Sequence, residues 1–233
     1  SRIPNIWIAA PDAPDEAEQI TFSEYGIFDF AVSPDGRTIA YTERDFDTGI
    51  ADIYLLDLRS GDVEQVTDCI MADADCFSPV WRPDGQVLAY ERIALNRDLG
   101  IPPSPNRVWL LDLTHDDYPT VPLVDDPQVL GYDPVWSRDG NRLAFFDTGR
   151  GGILVYDFAA TEAEGEAQIA FIPSDFGTTG DFSPDGGRVV FAEMLPGGPL
   201  IHAHLQVANL QTDQINVLTS PDENADDQSA AWH

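Results

Sequence analysis

Ser33-Pro34-Asp35-Gly36 followed by Thr38-Ile39-Ala40-Tyr41 is a tight turn feeding an apolar strand, and the same pattern returns three times. The later copies are Arg82-Pro83-Asp84-Gly85 before Val87-Leu88-Ala89-Tyr90, Ser137-Arg138-Asp139-Gly140 before Leu143-Ala144-Phe145-Phe146, and Ser183-Pro184-Asp185-Gly186 before Val189-Val190-Phe191. The glycines are spaced by 49, 55 and 46 residues, a period that marks an array of one small repeated unit. Proline at the second turn position is pre-set near the required φ, and glycine is favoured at the fourth. Arg138 replaces the proline in the third copy, which a type I turn tolerates.

The likeness extends on both sides of the turn. Upstream lie short strands, Asp29-Phe30-Ala31-Val32, Pro79-Val80-Trp81, Pro134-Val135-Trp136 and a weaker Gly180-Asp181-Phe182. Downstream come third strands over 52–58, 107–113, 152–158 and 204–210, and fourth strands over 63–66, 121–124, 167–172 and 214–218. Branched and aromatic runs bounded by Gly, Asp and Thr read as strands, and Pro122 suits an outer edge, where a missing N–H is tolerated. Four antiparallel strands per repeat make a propeller blade. The predicted fold is all-β, a β-propeller with whole blades over 28–68, 76–126, 130–174 and 179–221 and partial blades over 1–27 and 228–233.

The Ser-Pro-Asp-Gly turn, the Ile39-Ala40-Tyr41 strand and the run Ile53-Tyr54-Leu55-Leu56-Asp57-Leu58 resemble the blade repeat of TolB-type β-propellers. The Gly-His and Trp-Asp pairs of WD repeats are absent. The resemblance implies binding and scaffolding rather than chemistry, and it carries over no catalytic residue. At the ends, Asn5 to Ala9 matches a third strand, Glu18 to Phe22 a fourth and Ser229 to His233 a first. A blade shared by both ends would lack its second strand and leave backbone groups unpaired. The reading is a segment of a longer chain with six or more blades; a five-bladed ring with irregular closure is the alternative.

Forty-one Asp and Glu face twelve basic residues, all arginine, for a net charge of −29. Nucleic acid would be repelled, whereas cations or basic partners are favoured. No apolar run is long enough to span a membrane in this segment. Cys69 and Cys76 bracket a six-residue loop, close enough to bridge. A disulfide there implies an oxidising, extracytoplasmic compartment: periplasm, cell surface or exterior.

In an antiparallel blade alternate connections emerge on opposite faces. The Pro-Asp-Gly turns share one face with short third-to-fourth turns. The opposite face carries long loops with Asp45, Phe46 and Asp47; Arg92, Arg97 and Asp98; Asp73 and Asp75 beside the cysteines; and Asp125 and Asp126. Varied loops on a rigid scaffold are where binding is placed, so these residues are the expected binding face for a basic or cell-envelope-associated protein. Asp45-Phe46-Asp47 and Asp73-Ala74-Asp75 place oxygen ligands at alternate positions, so calcium is considered there, but the twelve-residue loop pattern is missing. His202 and His204 could share a strand face but have no third ligand in view. Asp57, Asp112 and Asp157 are expected to fix the turns that follow them. No nucleophile elbow or zinc-protease motif occurs. The leading reading is a non-catalytic binding or scaffold module needing no cofactor. The alternatives are a propeller that gates a prolyl-oligopeptidase-type serine peptidase, and a repeat subunit of a cell-surface assembly.

Overall fold

The structure, a computed structural model, describes residues 3–159, 168–175, 177–197, 200–219 and 231–232. Its strands form one two-stranded and four four-stranded antiparallel sheets, each in simple chain order. The small sheet is β1 (Trp7–Ala10) with β2 (Ala13–Gln19). The first full sheet holds β3 (Phe30–Val32), β4 (Thr38–Arg44), β5 (Ala51–Asp57) and β6 (Val63–Gln65). The second holds β7 (Ala74–Trp81), β8 (Val87–Ala94), β9 (Arg107–Asp112) and β10 (Thr120–Pro122). The third holds β11 (Gly131–Trp136), β12 (Arg142–Asp147), β13 (Gly152–Asp157) and β14 (Gln168–Pro173). The fourth holds β15 (Gly177–Phe182), β16 (Arg188–Gly197), β17 (Leu200–Asn209) and β18 (Ile215–Val217). These are propeller blades, and Pro122 ends an outer strand as its missing donor requires. Two compact units result: residues 1–81 with 85–121, and residues 82–84 with 122–233.

Each second strand buries consecutive residues: Ile39 to Thr42, Leu88 to Glu91, Leu143 to Asp147 and Val189 to Ala192. Both sheet faces are therefore covered, unlike an antiparallel sheet with one wet face. Tyr41, Tyr90, Phe145 and Phe191 stand eight residues after the first residue of their turns and are at most 3% exposed. In the first unit, Tyr41 clusters with Ile6, Ile27 and Leu56, and Tyr90 with Ile53, Val66 and Leu111. In the second, Phe191 clusters with Ile153 and Phe182.

Three of the four turns repeat atom for atom. Ser33, Ser137 and Ser183 donate their hydroxyls to Asp35, Asp139 and Asp185 at 2.6–2.7 Å. Each serine Oγ also accepts the N–H of the residue five positions on, and each glycine sits at φ 67–70°. In the second copy Arg82 replaces serine and its Nε lies 3.3 Å from Asp84.

Two further latches recur. Ser78 and Asp133 sit at bulges with φ 54° and 59°. The Ser78 N–H is thereby aimed at the Asp29 carboxylate, 3.1 Å away on the preceding sheet, and Asp133 accepts the Thr179 N–H in the same way. At the other end of the blade, Thr67 Oγ accepts the Ile53 N–H at 2.9 Å and donates to Asp52 at 2.6 Å. Thr21 does the same with Ile6 and Asn5, so β1 and β2 are the counterparts of β5 and β6. The fourth strand expected over 18–22 starts earlier, at Ala13, because Pro11-Asp12 closes a short hairpin and lets Ala10 face Ala13. The weak first strand at 180–182 likewise extends back to Gly177, past a bulge between Thr179 and Asp181.

Two outcomes follow from the packing and the turns. Phe191→Ala should cost about 3–5 kcal/mol in urea unfolding, the range for a buried aromatic lost from a core. The Asp35, Asp139 and Asp185 carboxyls are held below the usual range first by the serine hydroxyls, then by backbone N–H groups. A folded pKa below the unfolded value of about 3.9 gives stability that is complete above that pH and lost as pH falls through the folded value. The melting temperature should therefore drop more steeply below about pH 4 in the native chain than in a chain carrying Asp35→Asn, Asp139→Asn and Asp185→Asn.

Candidate functional site

Three loops of the first unit leave the blades on the face opposite the Pro-Asp-Gly turns: the 45–50 connection, the 66–73 inter-blade segment and the 95–106 connection. The middle one is closed by a disulfide between Cys69 and Cys76, whose Cα atoms are 6.1 Å apart. Both cysteines are buried, and the Cys69 N–H donates to Asp52 at 2.7 Å. Burial raises the Asp52 carboxyl above the usual range, while the Thr67 and Cys69 hydrogen bonds pull it back.

Two ion pairs tie the loops together. Arg44 Nη1 lies 3.3 Å from Asp75, which also accepts the Ala51 N–H at 2.8 Å. Asp73, at φ 46°, accepts both the backbone N–H and Nε of Arg97, at 2.8 and 2.5 Å. Those two bonds hold the Asp73 carboxyl below the usual range. Arg97 opens a 3-10 turn, Arg97–Leu99, framed by Asn96 and Gly100, both left-handed. Asp73 and Asp75 thus diverge to different arginines instead of converging on an ion.

Asp45 is spent on its own loop: its carboxylate accepts the Asp47 and Thr48 N–H groups and the Thr48 hydroxyl. Phe46 is 64% exposed, with the Tyr25 ring 5.6 Å away and the Tyr25 hydroxyl on its carbonyl. Asp47 and Asp98 are exposed. Arg92 is half-buried, its guanidinium carbon 4.2 Å from the centre of the Trp109 ring. Asp125 and Asp126 belong to the other unit, where Asp126 accepts the Gln128 N–H and orders a turn. Within the first unit, residues 45–47, 73–75 and 97–98 thus lie on loops joined by these contacts.

Among the described residues no cluster of three or more His, Cys, Asp or Glu is placed to hold a metal ion. His204 is buried beside Gln206 and Glu193; the His202 side chain and the 222–227 acidic run lie outside the described residues. Asp57 and Asp112 hold the turns after them, as expected, by accepting N–H groups two and three residues on or two on, and Asp157 accepts from Ala159. No described helix is long and apolar enough to cross a membrane.

Charge and loop length gave no hint of the apolar residues on the same loops. Met71 is 81% exposed, Leu99 71% and Ile101 54%. Their signal was present, as apolar residues in segments otherwise rich in Asp and Arg, but exposure is set by the loop path.

The Asp75 tether has a direct readout. Asp75→Ala removes the acceptor of the Ala51 N–H, a bond worth about 1 kcal/mol. The Ala51 amide should exchange with solvent roughly fivefold faster, and the unfolding free energy should fall by about 1 kcal/mol.

A profile of the TolB beta propeller domain matches residues 8–232. Dipeptidyl-peptidase 5 of Porphyromonas gingivalis is 37% identical over 95 residues, which are 38% of this chain and 13% of that protein. Among solved structures, TolB from Acinetobacter baumannii aligns with a TM-score of 0.63 and 22% identity, over 94% of this chain and 50% of that one. A puromycin-hydrolyzing peptidase from Mycobacterium tuberculosis aligns with a TM-score of 0.61 and 15% identity, over 88% of this chain and 30% of that one. The chain thus spans half the length of that TolB and smaller parts of both peptidases, and the two structural likenesses speak for fold alone. With the profile running through every sheet, and with turns, bulges and latches repeating blade after blade, this chain belongs to the TolB β-propeller domain family.

Proposed function

We propose that the chain is a non-catalytic, extracytoplasmic binding module whose three linked loops dock a protein partner. The observation that carries this reading is the pair of ion bridges, Arg44–Asp75 and Asp73–Arg97. They hold in place loops that present Phe46, Met71, Leu99 and Ile101 to solvent. Exposed apolar side chains set among polar ones suit protein interfaces, where aromatic residues and Met are enriched. Asp45, Asp47 and Asp98 around them favour a partner with a basic rim, which would also be steered by the charge of −29. The buried disulfide suits an oxidising compartment.

The match to dipeptidyl-peptidase 5 supports a second reading, in which the same blades gate a peptidase domain elsewhere in the full protein. Flanking coding sequence with a nucleophile elbow and downstream Asp and His would decide for it.

The docking reading is tested by affinity capture from envelope extracts. Proteins retained by the native chain should be lost with Met71→Glu plus Leu99→Glu and kept with Arg59→Glu on the opposite face. Equal retention by all three would place the interface elsewhere.

A further inference from the structure

β18 (Ile215–Val217) is the outermost strand of the fourth full sheet, and among the described residues no strand pairs with its far side. An open strand edge is a template for another strand, and folded proteins guard such edges with charges or proline. The other outer strands of this chain are guarded. β2 carries Pro14, Asp15, Glu16 and Glu18, β6 carries Glu64, β10 ends in Pro122 and β14 ends in Pro173. β18 and its flanks read Gln214-Ile215-Asn216-Val217-Leu218-Thr219, without charge or proline, in a chain of net charge −29. Ile215 is 39% exposed, Val217 59% and Leu218 56%.

The ladder fixes which backbone groups are spare. The Leu218 N–H donates to the Leu205 carbonyl and the Asn209 N–H to the Gln214 carbonyl, both at 2.8 Å, and Asn216 faces Val207 between them. Gln214, Asn216 and Leu218 therefore turn their backbone groups inward, and Ile215 and Val217 turn theirs outward. The two outward residues flank Asn216 symmetrically. Their side chains share one sheet face, and Asn216 points from the other.

This edge is its own complement. We propose that two copies of the chain pair antiparallel through β18, with a two-fold axis beside Asn216. Ile215 and the partner's Val217 then exchange both backbone hydrogen bonds, and the symmetry-related pair does the same. On one face the apolar side chains of Ile215 and Val217 meet their counterparts. On the other, Asn216 stands opposite the partner's Asn216 at the close, non-hydrogen-bonded position, with Cα atoms about 4.5 Å apart. Sliding the register by two residues would leave only one pair of outward residues matched. Asp213, the nearest charge, falls opposite the partner's Thr219, so no like charges meet across the seam. With one unguarded edge per copy among the described outer strands, the assembly closes at two.

Sedimentation equilibrium of the intact chain tests this. One short strand pair covers far less than the roughly 1,200 Å² of a stable complex, so half-association is expected near about 100 μM. The mass should rise with concentration and level at twice that of one chain. Each copy carries −29, so added salt should strengthen the association by screening repulsion, whereas it would weaken docking of a basic partner. Leu99→Glu should leave the dimer intact, so this proposal and the docking surface fail separately. Val217→Pro deletes an outward N–H that the sheet does not use and should give a folded monomer. The native cysteines are already bridged, so an added thiol reports the seam. Asn216→Cys should cross-link to its own copy on mild oxidation, since a disulfide needs Cα atoms about 4.4–6.8 Å apart. Gln214→Cys, about 14 Å from its symmetry mate, should not. If Val217→Pro does not fold, the native mass series and the two cysteine variants decide. A native chain still monomeric at about 1 mM, growth beyond two copies, a folded Val217→Pro that still associates, or equal cross-linking of the two cysteine variants each overturns the proposal.

Discussion

Burial of both faces of every second strand is the constraint on which the rest depends. Runs such as Leu88-Ala89-Tyr90-Glu91 leave no wet face, so a blade is stable only when another layer covers it. Tyr90 meets Ile53 and Val66 of the preceding sheet, as Tyr41 meets Ile6 and Ile27. Each aromatic buries on the order of 150–250 Å², and no single sheet could retain that gain alone. Face-to-face stacking in turn forces all connections to the two ends of the blades. Everything chemically variable is therefore confined to two loop-bearing faces and to the clefts between sheets.

Stacking apolar faces sets distance but not registration, and the polar latches supply it. The bulge at Ser78 turns its N–H out of the ladder and toward the Asp29 carboxylate, and the carboxylate of Asp133, at the equivalent bulge, accepts the Thr179 N–H. A residue at positive φ and a buried carboxyl are both unfavourable in isolation; placed against each other they satisfy a donor and an acceptor and lock one sheet against the next. The threonine latch at Thr21 and Thr67 ends the fourth strand at a fixed height beside the third. That height sets where the inter-blade loop departs, and so where the cysteines and Asp73 come to lie.

The site inherits this rigidity. A disulfide and two arginine–aspartate pairs restrain the loops at several points, so exposed apolar side chains are held out rather than collapsing inward. Exposed ion pairs contribute little to stability by themselves, about 0–1 kcal/mol; here their consequence is geometric.

The sequence by itself determined the repeat, the strand order within a blade, the aromatic position eight residues into each turn, the bridged cysteines and the turn-holding role of Asp57 and Asp112. All of these rest on interactions between residues within a few positions, or on a pattern that recurs at a fixed spacing. Only the tertiary structure decided the partners of Asp73 and Asp75. Two carboxylates at alternate positions read as an ion loop, yet the left-handed backbone at Asp73 splits them toward Arg97 and Arg44, both more than twenty residues distant. The Thr–Asp latch, the exposure of Met71 and Leu99, and the stacking of Arg92 on Trp109 were equally illegible. Each depends on where a remote segment passes, and a one-dimensional spacing carries no information about which of many acidic residues an arginine will meet once the sheets are stacked.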